Sequence, residues 1–149
     1  MPKSLPKLFL SIGLCLLAGG VGSIFTTSAI PTWYATLDKP FFSPPNFVFA
    51  PVWTTLYILM GISLYLVWKK KFPTIFGVQL FLNFLWSIIF FGMRNPSLAL
   101  VDIVALWIAI ALTIKSFYKI SKLSAYSLTP YLLWVSFATL LNLMIVLLN

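Results

Sequence analysis

At 149 residues, 61% of them hydrophobic and only 8% charged, the chain carries more apolar surface than a soluble domain of its size can bury, so lipid must cover part of it. It has no histidine and two acidic residues, Asp38 and Asp102, which removes the commonest metal ligand and neutral-pH base and leaves no carboxylate pair for hydrolysis. The net charge of +8 sits on bases dispersed at the ends of apolar segments, the pattern of membrane flanks and not of a nucleic-acid surface, so we expect no metal, no cofactor and no nucleic-acid partner.

Lys3 and Lys7 precede an apolar run over about 8–27. It is long enough to span a bilayer, and no clean small-residue cleavage site ends it, so we predict a retained helix and not a signal peptide. Cys15, Gly19 and Ser23 recur every four residues, as do Ala18 and Gly22. Such faces let helices approach closely, either inside one bundle, which we prefer, or across a dimer. Cys15 is the only cysteine, so no internal disulfide forms.

A loop over 28–45 follows, with Pro31, Pro40, Pro44 and Pro45 and the pairs Trp33-Tyr34 and Phe41-Phe42. A prolyl nitrogen cannot donate, and its ring restricts the residue before it, so this stretch cannot be a continuous helix. It leads into a second span, 46–68, on which Trp53 and Tyr57 share a face. Two readings stay open here: an aromatic lid over a pocket, or an interfacial aromatic belt.

Lys69-Lys70-Lys71 ends the second span, and a third runs over 72–92. Arg94-Asn95-Pro96 turns the chain, with Pro96 placed where a missing donor is harmless. The fourth and fifth spans cover 97–118 and 124–148, with Pro130 near the start of the last. The fold class is therefore an all-α membrane protein, one domain built as a bundle of five transmembrane helices. Five spans put Lys3, Lys7, Lys69, Lys70, Lys71, Lys115, Lys119 and Lys122 on one side and only Lys39 and Arg94 on the other. The lysine-rich side is predicted to be cytoplasmic, with the N-terminus, and the 28–45 loop faces outward.

Helical rise then sets depth. Trp53, Trp86, Asp102 and Asn142 fall at one level, about 10 Å below the outer surface, with Asn83 one turn deeper. Trp134, Ala138 and Asn142 share a face of the fifth helix. Asp102 and Asn142 should point inward, either as interhelical glue or as a functional polar site. Tryptophan bulk beside the small Ala138 suggests a cavity with flat aromatic walls, suited to a large planar or rigid apolar ligand. Without histidine, a haem iron would lack its usual axial ligand, so a metal-free macrocycle or a sterol fits better. Lys39 and Arg94 could meet a ligand's carboxylates at the mouth.

The segments WYATLDKPFFSPPN and PVWTTLYILMG, followed by QLFLNFLWSIIFFG, ALVDIVALW and PYLLWVSFATLLN, resemble the translocator protein family, also called tryptophan-rich sensory proteins or the peripheral benzodiazepine receptor family. The resemblance covers about residues 20–143. It implies a five-helix bundle, usually a homodimer, with a ligand pocket under the first loop for porphyrins such as protoporphyrin IX, sterols, and isoquinoline or benzodiazepine drugs. Carried over by motif, the pocket positions are Phe49, Ala50 and Trp53, then Asn83 and Trp86, Leu98, and Trp134, Ala138 and Leu141. Tyr57 and Phe90 complete the candidate lining. Some bacterial relatives are described as degrading protoporphyrin in light, and Trp53 and Trp134 match the tryptophans implicated. The tail from Asn142 to Asn149 lacks the tyrosine and arginine of the animal cholesterol segment, which puts sterol recognition there in doubt and favours a bacterial inner membrane. The leading expectation is a tetrapyrrole receptor or carrier. The alternatives are a light- and oxygen-dependent protoporphyrin-degrading enzyme and a small cationic-drug exporter using Asp102.

Overall fold

Unbroken apolar runs, interrupted by proline and lysine, fold into five long helices with no strand among the described residues. The structure is a computed structural model that describes residues 5–69 and 71–149. Lys3 and Lys70, two of the cations that set the predicted orientation, lie outside the described residues. The helices are α1 (Leu5–Ala29), α2 (Phe49–Val67), α3 (Thr74–Ser87), α4 (Pro96–Tyr118) and α5 (Lys122–Leu148). With the turns that extend α2 at its start and α3 at its end, all five are long and apolar enough to cross a membrane. The chain is an integral membrane protein. α4 packs most extensively on α5, α1 on α2, α3 on α4 and α2 on α5.

Local chemistry sets the helix ends. Asn95 and Ser121 cap α4 and α5, their side-chain oxygens accepting from Leu98 N (3.1 Å) and Ser124 N (3.2 Å). Pro96 opens α4 as expected. α3 starts two residues later than predicted, because Pro73 holds an extended ψ of 113° before the first turn. Phe72 instead packs against Trp68, with ring centroids 5.1 Å apart.

The third span is not uniform. After Ser87 the backbone widens into a π-helical turn, Ile88–Gly92, closed by Met93 N donating to Ile88 O at 2.8 Å. Such turns break regular helix geometry and occur frequently at functional sites. Arg94 then adopts a left-handed φ of 55°, which reverses the chain toward α4. The half of the bundle remote from the 30–45 loop, its inner half, is closely packed. Cys15, Met60, Leu64, Phe76 and Ile110 are fully buried there, and the backbone of Ile12 lies against Gly61.

Candidate functional site

Beneath the 30–45 loop, the loop-side halves of all five helices (the outer half of the bundle, named by the loop) surround a cavity of about 210 Å³. Its walls are aromatic. The rings of Trp53 and Trp134 stand perpendicular with centroids 6.5 Å apart, Phe49 meets Trp134 at 6.3 Å, and Trp86 stacks on Phe90 at 4.9 Å. Two of the indole N–H groups differ sharply. Trp86 Nε1 donates to Asn142 Oδ1 at 3.0 Å, and Asn142 Nδ2 donates to Pro96 O at 2.9 Å, so Asn142 ties α3 and the start of α4 to α5. Trp134 Nε1 is buried and has no partner among the described residues.

The loop forms the roof. Trp33 meets Phe90 edge-on at 5.6 Å, Tyr34 meets Phe91 at 5.7 Å, and Phe42 meets Phe137 at 6.1 Å. The Lys39 ammonium lies 4.6 Å over the Tyr34 ring. Burial pushes the Tyr34 phenol above its ordinary value, a hydrogen bond from Ser43 opposes this, and the net shift is upward. Tyr34 is therefore neutral across the physiological range. At the far end of the loop Asn149 holds Asp38 by two bonds: Asp38 N donates to Asn149 Oδ1 (3.1 Å) and Asn149 Nδ2 donates to Asp38 O (2.9 Å).

The floor is polar. Tyr57 OH donates to Asn83 Oδ1 at 2.6 Å, Asn83 Nδ2 to Tyr131 OH at 2.7 Å, and Tyr131 OH to Gln79 Oε1 at 2.8 Å. Tyr57 and Asn83 line the cavity, whereas Tyr131 and Gln79 lie behind them. Gln79 Nε2 ends the chain without a partner among the described residues.

Of the residues singled out from the sequence, Phe49, Ala50, Trp53, Tyr57, Asn83, Trp86, Phe90, Trp134, Ala138 and Leu141 line this one cavity. Leu98 does not. It is exposed on the first turn of α4, where its amide is held by the Asn95 cap. Asp102 is buried but outside the lining, and its Oδ2 has no partner among the described residues. Lys39 is engaged in the roof and Arg94 in the α3–α4 turn, so neither lines the cavity.

One wall was missed from the sequence. α1 contributes Gly19 and Ser23, the outer part of the small-residue stripe read as packing, together with Thr26. A Cβ on Gly19 would overlap the Tyr57 ring, so that ring rests directly on the α1 backbone. The stripe serves both purposes. The volume is below the range of about 300–1,000 Å³ usual for ligand pockets. A macrocycle would therefore have to displace the roof or rotate the tryptophans. Among the described residues no three of Cys, Asp or Glu gather into a metal cage.

The profile of the TspO/MBR family matches residues 11–148. The chain is 52% identical over 149 residues to the "Tryptophan-rich protein TspO" of Archaeoglobus fulgidus, covering 96% of this chain and 97% of that one. It is 48% identical to the protein of the same name from Chlorobaculum tepidum, covering 100% and 99%. It is 44% identical to the human "Translocator protein", over 82% of this chain and 78% of that one.

Proposed function

Because the chain belongs to the TspO/MBR family, we propose that it is a membrane receptor or carrier that takes a flat, largely apolar molecule into the cavity beneath the 30–45 loop. The ligand class is a tetrapyrrole such as protoporphyrin IX, with sterols and isoquinoline- or benzodiazepine-type drugs as further occupants. One observation carries this. Trp53, Trp86 and Trp134 all line a single cavity whose surface is mostly apolar above its polar floor. Flat indoles bury large area against a flat ligand and fix its plane. The test is titration of purified, lipid-reconstituted protein with protoporphyrin IX in the dark, following quenching of tryptophan and pigment fluorescence. Saturable quenching that Ala138→Thr weakens supports the assignment. Quenching that is linear in protein, or indifferent to Ala138→Thr, removes it.

A second activity, light-dependent degradation of the bound pigment, is favoured by the pairing of Trp53 and Trp134 across 6.5 Å, with the Trp134 N–H lacking a partner among the described residues. Trp53→Phe and Trp134→Phe keep most of the apolar area but remove the oxidisable indole. Under this reading both variants bind protoporphyrin while its loss in light and oxygen slows sharply. Equal loss in wild type and both variants would make the reaction the pigment's own photochemistry. We set aside the cation exporter, since Asp102, the buried acid it would use, stands outside the lining.

We further propose a homodimer in a bacterial inner membrane, with the N-terminus cytoplasmic. Labelling of Thr32→Cys but not Thr74→Cys by an impermeant reagent from outside, in a Cys15→Ser background, is the expected result.

A further inference from the structure

We propose that Gln79 and Tyr131, which do not touch the cavity, set whether its polar floor offers a donor or an acceptor to the ligand. They act as positioning residues through Asn83 and Tyr57. The inference rests on the cavity being a ligand site, as argued above.

The four side chains form one directional chain. Each of the two phenols donates away from the cavity, Tyr57 to Asn83 and Tyr131 to Gln79, and the Asn83 amide passes the direction on. All four are at least nine-tenths buried, at 9%, 4%, 0% and 1% exposed for Tyr57, Asn83, Tyr131 and Gln79, so the chain is shielded from bulk solvent. The members are therefore not independent. With Tyr57 OH committed to Asn83, what Tyr57 has left for a ligand is oxygen lone pairs. The alternative is the same chain reversed. Turning both amides over would have Gln79 donate to Tyr131, Tyr131 to Asn83 and Asn83 to Tyr57. The Tyr57 proton would then be free to donate into the cavity.

Among the described residues, both directions leave one buried Gln79 atom unpaired: Nε2 in the structure, Oε1 when reversed. A buried N–H is harder to leave unpaired than a carbonyl oxygen. The observed direction thus holds no large advantage at its inner end, and Gln79 is where it is decided. Remove the Gln79 acceptor and Tyr131 OH has nowhere to donate except outward, to Asn83. The chain must then reverse or leave a buried hydroxyl unpaired, which proteins avoid.

The test uses three probes of nearly equal shape: benzophenone, which only accepts, benzhydrol, which donates and accepts, and diphenylmethane, which does neither. Affinities are measured in lipid-reconstituted full-length protein by tryptophan fluorescence, with thermal unfolding followed in parallel. Gln79→Met is close in volume and removes the acceptor. It is expected to raise the benzophenone-to-diphenylmethane affinity ratio about tenfold, one hydrogen bond of about 1.4 kcal/mol. Tyr131→Phe cuts the chain elsewhere. It leaves Asn83 to turn its N–H groups toward Tyr57, so the ratio should move the same way by a smaller factor. In a Tyr57→Phe background neither substitution should change the ratio, because the group that delivers the effect is gone. A merely structural role would lower the unfolding temperature and weaken all three probes together. Unchanged ratios with intact binding overturn the inference alone. No saturable binding of any probe by wild type overturns the cavity as a ligand site, and the inference falls with it.

Discussion

The inner and outer halves of the bundle are built from similar apolar residues but solve different problems. In the inner half, contact is limited by backbone. Gly61 lets Ile12 approach to main-chain distance, Ser63 and Ser124 exchange reciprocal hydrogen bonds, and Phe76 stacks on Phe117 at 6.1 Å with nearly parallel rings. In the outer half, contact is limited by side chains. Rings meet edge-on, the third span loosens into a π turn, a proline-rich loop replaces helix, and a cavity remains. Backbone contacts have one solution, whereas ring contacts have several of similar energy. The inner half is thus a scaffold and the outer half is the part able to rearrange, in keeping with stability being spread unevenly through a fold.

The sharpest way to break this comparison is Gly61→Ala. A Cβ there would run into the Ile12 backbone, which cannot step aside without moving α1. Overpacking of this kind should destabilise by about 3 kcal/mol. Unfolding in detergent by SDS titration checks it, with Gly20→Ala as the control, since nothing lies within 4 Å of a Cβ at that position. Equal stability of the two variants would mean that α1 floats on α2. Ser63→Ala is next. It removes one hydroxyl of the pair joining α2 to α5, and bonds between membrane helices are worth about 0.6–2 kcal/mol. Protoporphyrin affinity should not move, because the pair lies outside the cavity lining.

Gly19→Ala tests the border between the halves. Its Cβ would strike a ring, not a backbone, so Tyr57 can swing and the fold should lose no more than about 1 kcal/mol. But Tyr57 heads the floor's hydrogen-bond chain. Ligand affinity should fall by about tenfold, the worth of one disturbed bond of about 1.4 kcal/mol. A large loss of stability with unchanged affinity would place Gly19 with the scaffold.

The two halves were also unequally legible in the sequence. Five spans follow from apolar length and from Pro40, Pro44-Pro45, Lys69 to Lys71 and Pro96, because bilayer thickness and the missing prolyl N–H act locally. Helical rise was enough to put Trp53, Trp86, Asp102 and Asn142 at one level, and four-residue spacing to put Trp134, Ala138 and Asn142 on one face. What escaped depends on neighbours. The π turn at Ile88 has no composition of its own and shows only in its hydrogen bonds. Gly19 reads as packing until the Tyr57 ring is placed on it. Leu98, carried over by motif alone, lies on the exposed first turn of α4, where the Asn95 cap holds its amide. Gln79 and Tyr131 lie among apolar residues, and nothing in their spacing announces that they meet.

Asn149→Ala bears most directly on the outer half as the movable part. Asn149 bonds the main chain of Asp38 twice, at the end of the roof. Both bonds are exposed, so their loss should lower stability by no more than about 1–2 kcal/mol together. If the loop must lift to admit ligand, weakening this clasp favours the lifted state in free and occupied protein alike. Association and dissociation should then both quicken by about tenfold while the dissociation constant stays put. Stopped-flow quenching with protoporphyrin IX reads both rates. The clasp grips backbone, not carboxylate, which supplies its own control: Asp38→Ala leaves the N–H and C=O in place and should be silent, whereas Asp38→Pro deletes the donor and should copy half of the Asn149→Ala effect. Rates unchanged in Asn149→Ala would mean that ligand enters between helices from the lipid and that the roof does not move. A rise in dissociation alone, with weaker binding, would mean that Asn149 steadies the occupied cavity and does not hold a gate.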